Sequence, residues 1–275
     1  MPVIALAGCT GAPGVTTTAL ALLMTWPLQP GRRVVMAECD PDGGAVLHGI
    51  LHGALGDTYG MKNLSLAARK GELTEAFWRQ LIDMTDGEGV QDPPRDRLVL
   101  PGFTDPAQAA GMAPAWEALA DLFTGIERHP DYPHDVVIDL GRRGAFGASA
   151  VLAQRADAVA VVARSTLRGL QSAQARVAAL EQQVGGVGLL LIEEGPYRAS
   201  EVEKVLKAPV VARLPHRPEL ARVLSDGAAQ PRRFTQSDLM RSARGAVGPL
   251  LQRAALRRAR LDHPRRGRGE VTGAR

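Results

Sequence analysis

The chain has 275 residues, of which 45% are hydrophobic and 23% charged, with a formal net charge of +4. That balance fits a soluble globular protein with a sizeable core and excludes a disordered chain. No apolar run reaches the roughly 18 residues of a membrane span. The positive charge is local: residues 251–275 hold eight arginines against Asp262 and Glu270, a net of +6, so the rest of the chain sums to −2.

Cys9 and Cys39 are the only cysteines, too few for a disulfide framework, and no Cys/His spacing suggests zinc. The chain opens on an apolar strand rather than the basic head of a secretory signal, which leads to an expectation of the cytosol.

Val3–Ala7 reads as a buried strand. The Gly-rich turn 8–14 follows, and a helix is expected from Thr16 to Thr25, ended by Trp26-Pro27 and Pro30-Gly31. Arg33–Ala37 is the next strand, leading into Glu38-Cys39-Asp40-Pro41-Asp42-Gly43-Gly44. Residues 45–56 suggest a helix and loop, while 63–70 and 74–84 look helical. The polar stretch 86–97 carries Pro93-Pro94 and reads as a loop. A short strand, 98–100, precedes a helical pattern over 114–128. Residues 135–140 form a β-branched, apolar strand of the kind buried on both faces. Helix 147–154, strand 158–163, helix 166–183 and strands 188–192 and 210–212 follow. Helices are then expected over 218–226 and 237–260. The alternation predicts one doubly wound, mostly parallel sheet with helices on both faces. The domain is placed at 1–260, and residues 261–275 read as a basic disordered tail.

Strand, Gly-rich turn and helix at the start form the shape of a phosphate-binding loop, in which backbone N–H groups and a helix N-terminus meet an anion. Gly11, Ala12, Pro13, Gly14, Val15, Thr16 and Thr17 are the candidate phosphate residues. Thr16 stands where a Mg²⁺-binding hydroxyl belongs, although an ordinary first-turn threonine looks the same. Asp40 and Asp139 end buried strands, where ligands of parallel sheets collect. Asp40 is the candidate to orient an attacking water or hold a Mg²⁺-bound one, against an Asx turn in Asp-Pro-Asp-Gly-Gly. Asp139 is the candidate metal residue, against a turn-capping role. The basic stretch Leu250–Leu261 reads either as an element touching DNA or anionic membrane, or as a solvated helix.

The order of these motifs resembles the ParA/MinD class of P-loop ATPases. Thr10-Gly11-Ala12-Pro13-Gly14-Val15-Thr16-Thr17 matches the length and the final Gly-x-Thr-Thr of their deviant Walker A motif. Glu38-Cys39-Asp40-Pro41 resembles their Asp-x-Asp-Pro switch, and Asp135–Gly141 their Walker B strand. Strand 156–162 and Val210–Pro215, with its base-side proline loop, complete the likeness. The resemblance implies ATP and Mg²⁺ as cofactors, a homodimer, and a protein partner in a positioning, partitioning or secretion system. It also implies a cytoplasmic protein that can associate with nucleoid or membrane. Two lysines of the motif are replaced, by Thr10 and Val15, so weak or lost ATP binding and at most weak hydrolysis are expected. Arg142 or Arg143 is a candidate replacement cation. Glu193-Glu194 stands where relatives often carry an adenine-reading Asn. Asp139-Leu140-Gly141-Arg142 is similar to a stretch of the TadZ/CpaE branch, whose loops are also degenerate.

Overall fold

The structure is a computed structural model that describes residues 2–11, 14–28, 30–85, 95–126 and 133–262. Its framework is one eight-stranded sheet: β1 (Val3–Ala7), β2 (Arg33–Glu38), β3 (Ile82–Asp83), β4 (Arg97–Leu100), β5 (His134–Asp139), β6 (Ala158–Arg164), β7 (Gly188–Glu193) and β8 (Val210–Pro215). Their spatial order is β3-β4-β2-β5-β1-β6-β7-β8, parallel throughout except for the edge strand β3. The doubly wound expectation holds.

Period-two alternation in the strands feeds two cores. Val3, Ala5 and Ala7 face one side and Ile4 and Leu6 the other; Val35 and Ala37 oppose Val34 and Met36 in the same way. On the first face lie α2 (Lys62–Lys70), α3 (Leu73–Arg79), α4 (Trp116–Gly125), α5 (Ala150–Arg155), α6 (Leu167–Val184) and α7 (Ala199–Leu206). On the second lie α1 (Val15–Thr25), α8 (Pro218–Ser225) and α9 (Asp238–Asp262). None of the helices is long and apolar enough to cross a membrane, among the described residues.

Three expectations need correction. Residues 45–56 form successive turns without an α-helix, because His52 and Gly53 adopt positive φ angles of 51° and 68°. The helix expected over 74–84 stops at Arg79, and Ile82–Asp83 instead pairs antiparallel with Leu98 and Val99. Helix α9 continues through residue 262, past the point where a tail was expected to begin; residues 263–275 and Ala12 and Pro13 of the loop lie outside the described residues.

The basic helix is not a solvated appendage. Val247, Leu250 and Ala254 are buried in the second core. Arg258 makes a two-pronged ion pair with Asp157, at 2.6 and 2.7 Å. Arg253 donates to the Gly186 carbonyl at 2.5 Å and Arg257 to that of Gln154 at 2.9 Å. These arginines therefore fasten the last helix to the N-terminal ends of β6 and β7.

Candidate functional site

The carboxyl ends of β1, β2 and β5 lie side by side at the sheet centre. Register places Leu6 and Glu38 on either side of Asp139. The ladder continues past the strands, with Leu140 N–H donating to Leu6 O at 2.9 Å and Gly8 N–H to Gly141 O at 2.7 Å. The Gly-rich loop is thereby tied to the loop after β5. Gly14 precedes α1 with φ 89°, a left-handed turn suited to glycine, and Thr18 N–H donates to its carbonyl at 2.9 Å. A cleft of about 430 Å³ opens here, lined by Gly8, Gly14, Val15, Thr16, Thr17, Asp40, Gly141 and Arg142 among others.

Asp139 is fully buried. Gly141 N–H donates to its Oδ1 at 2.8 Å, while Oδ2 has no hydrogen-bond partner of good geometry among the described residues. Burial raises its pKa to about 6, opposed by the nearby Thr16 hydroxyl and by Gly141. A buried, orphaned carboxylate oxygen beside a hydroxyl suits a hard cation such as Mg²⁺. No cluster of three or more His, Cys, Asp or Glu is arranged for a metal among the described residues, so phosphate and water would have to complete the shell.

Asp40 uses both oxygens on backbone: Oδ1 accepts from Asp42 N–H and Oδ2 from Arg142 N–H, each at 3.0 Å. The first contact is the Asx turn that the sequence offered as an alternative; the second joins the β2 loop to the β5 loop. Burial raises the Asp40 pKa, and the Asp42 and Arg142 N–H groups oppose that shift. Arg142 and Arg143 were the candidate replacement cations. Both pair with Asp42, Arg142 at 2.8 Å and Arg143 at 3.5 Å. Val15, where the resemblance would place a lysine, is 6% exposed and belongs to the same apolar cluster as Ile4, Leu6 and Ala19.

Glu38 has a role that the sequence did not disclose. It is enclosed by Gly44 and Gly102, neither of which has room for a Cβ beside it. Its carboxylate accepts from Ala45 N–H at 2.5 Å and Gly102 N–H at 2.8 Å, with longer contacts to Val46. Burial, then the Asp139 charge, lift its pKa to about 7. Glu38 thus clasps the loops after β2 and β4. An acid at the last strand position followed by Gly43-Gly44 was the available clue.

On the other side of α1, Pro215, His216 and Arg217 share a cleft of about 270 Å³ with Gly14, Thr17 and Thr18. Glu194 is paired with Arg164 at 3.1 Å and Glu193 with Arg213 at 3.3 Å, so both carboxylates near that cleft are balanced.

Neither a protein family nor a curated protein matches this sequence. Solved structures do match in shape. A ParA family ATPase from Chlorobium tepidum TLS aligns with a TM-score of 0.64 and 14% identity, over 90% of this chain and 97% of that one. The chain has the fold of the ParA and MinD ATPases. The septum site-determining protein MinD from Pyrococcus horikoshii OT3, solved with Mg-ADP, gives 0.63 at 15% identity over 94% and 99% of the two chains. The MinC:MinD cell division complex of Aquifex aeolicus gives 0.62 at 14%, over 91% and 96%. Identity this low carries the ParA/MinD fold alone; roles for individual residues rest on the geometry above.

Proposed function

We propose that this chain is a spatial positioning or partitioning protein, which binds ATP·Mg²⁺ weakly and hydrolyses it scarcely or not at all. The supporting observation is the loop's charge: Val15 is sunk in an apolar cluster while Arg142 and Arg143 are both held by Asp42. A triphosphate brings about four negative charges, and a cation opposite a transferring phosphoryl is worth roughly 10³–10⁵ in rate. Within the loop itself no cation remains: Gly11 and Gly14 frame it, with Val15, Thr16 and Thr17 behind.

In this reading Thr16 and Asp139 hold Mg²⁺, which would neutralise phosphate oxygens when bound. Asp40 organises the loop after β5 through Arg142 N–H, and would orient water in any residual hydrolysis. A protein partner is part of the proposal, by analogy with the Aquifex MinD solved together with MinC, and work as a cytoplasmic homodimer is proposed with it. Asp139-Leu140-Gly141-Arg142 favours a secretion-type partner of the TadZ/CpaE kind. Binding of DNA or anionic membrane through 250–275 would fall to residues 263–275 and the outward side of α9, since Arg253, Arg257 and Arg258 contact the body.

Calorimetry with ATP·Mg²⁺, paired with sensitive phosphate release for wild type and Asp40→Ala, tests the reading. Weak binding with negligible release is expected. Brisk release that vanishes in the variant would establish an ATPase instead.

A further inference from the structure

A cleft between the loops after β2 and β5 holds a further cation, Arg176. Arg176 lies on α6, one helical turn after Ser172, whose hydroxyl donates to the carbonyl of Thr10 at 3.1 Å. The same hydroxyl reaches the Gly169 carbonyl of its own helix at 2.9 Å, so its proton is shared between the two, and this face of α6 lies against the first residue of the loop motif. The Arg176 guanidinium rests over the Phe146 ring, 4.8 Å from its centroid. It lines a cleft of about 590 Å³ with Pro41, Asp42, Arg143 and Trp116, which meets the phosphate cleft at Asp42.

Its charge is uncommitted. The other arginines lining the clefts around the loop pair with acids: Arg142 and Arg143 with Asp42, Arg164 with Glu194, Arg217 with Asp238 and Arg222 with Asp226. Arg176 forms no ion pair, and its Nη1 is buried without a hydrogen-bond acceptor, among the described residues. A half-buried guanidinium with an idle donor gains from an incoming anion. Desolvation lowers its pKa, and the groups that it senses next are Cys9, Arg142 and Asp40, all at the phosphate loop or its facing switch.

We propose that Arg176 supplies, for binding rather than turnover, part of the positive charge that Thr10 and Val15 do not, and faces the terminal phosphate of a nucleotide bound at the loop. The assignment rests on the loop being a phosphate site. Arg176 approaches from the Thr10 side of the loop, on the face of α6 that carries Ser172, and contact with the outermost phosphate is part of the proposal. An arginine can contact two phosphate oxygens at once, so a lysine replaces it only in part.

The test is calorimetry of the full chain with ATP·Mg²⁺ and with ADP·Mg²⁺, for wild type, Arg176→Ala, Arg176→Gln and Arg176→Lys, with thermal unfolding of each. Arg176→Ala and Arg176→Gln are expected to weaken ATP about 10- to 100-fold and ADP about twofold or less, with Arg176→Lys intermediate. Unchanged ATP affinity in both neutral variants overturns the assignment and leaves the loop a phosphate site. Equal losses for ATP and ADP with a lowered unfolding temperature overturn it in favour of packing against Phe146. A wild type that binds neither nucleotide overturns both this assignment and the proposed function.

Discussion

The Asp40 carboxylate fills the space that a side chain at Gly141 would need. A Cβ on Gly141 would overlap Asp40 Oδ2, Cγ and Cβ, and Gly141 already has φ 49°. The two loops that flank the cleft beside the Gly-rich turn are therefore fitted to each other. Gly141→Ala should push Asp40 off Arg142 N–H and lower stability by about 2–4 kcal/mol, adding left-handed strain to overlap. Asp40→Ala in the same chain should recover only the part due to the carboxylate, because its own Cβ still meets the new one. Chemical denaturation of both single variants and the double variant measures this; strictly additive losses would mean that the loops give way independently.

Protonation should set stability between mildly acidic and neutral pH. Asp139 rises from 3.8 to about 6 and Glu38 from 4.5 to about 7. Each binds its proton more tightly folded than unfolded. Their contributions are therefore complete below the unfolded values and are lost as pH climbs through the folded ones. The unfolding free energy should decline from about pH 4 to about pH 7. Asp139→Asn removes its own share, and should raise stability at pH 8 by about 1–3 kcal/mol while eliminating Mg²⁺-dependent nucleotide binding. Urea titrations at pH 5 and pH 8, with Mg²⁺ titrations beside them, give the answer. A variant no more stable than wild type at pH 8 would show that Asp139 is not a strained charge.

Val15→Lys restores a cation at the lysine position. Val15 both touches the apolar cluster and lines the phosphate cleft, so a lysine stem can lie along the cluster with its amine in the cleft. An ATP·Mg²⁺ affinity about tenfold higher is expected, with a stability loss of about 1–2 kcal/mol. Calorimetry and thermal unfolding read the two effects. No gain in affinity would argue that phosphate does not sit in this loop.

Arg258→Ala should lower the melting temperature by about 2–4 °C, from loss of roughly 1 kcal/mol in its half-exposed pair with Asp157. Truncation after Leu250 should cost far more, because it also removes Ala254 and the Arg253 and Arg257 contacts. Differential scanning calorimetry distinguishes a fastening helix from a free one, which would leave melting unchanged in both.

The central strands were legible because residues such as Val136, Val137 and Ile138 are apolar on both faces, and only a sheet covered on both sides asks for that. Strand β3 was not, since two residues at an antiparallel edge carry no pattern. Helix α7 was not legible either: Ala199, Val202 and Leu206 do recur on one face, but eight residues with Glu201, Glu203 and Lys204 between them give that pattern barely two turns. At the site, Asp40 and Asp139 announced themselves at strand ends beside a glycine-rich turn. Arg176 had no local mark, because its meaning comes from α6 lying against Thr10.

Helix α9 packs on α1, the helix that carries Val15, Thr16 and Thr17. These partners stand far apart in the sequence. Synthesis delivers the helix behind the Gly-rich turn well before the apolar side of α9 that covers it. Until α9 arrives, Leu20 and Leu23 of α1 lack part of their cover, so that helix is steadied only after the rest of the sheet has been made.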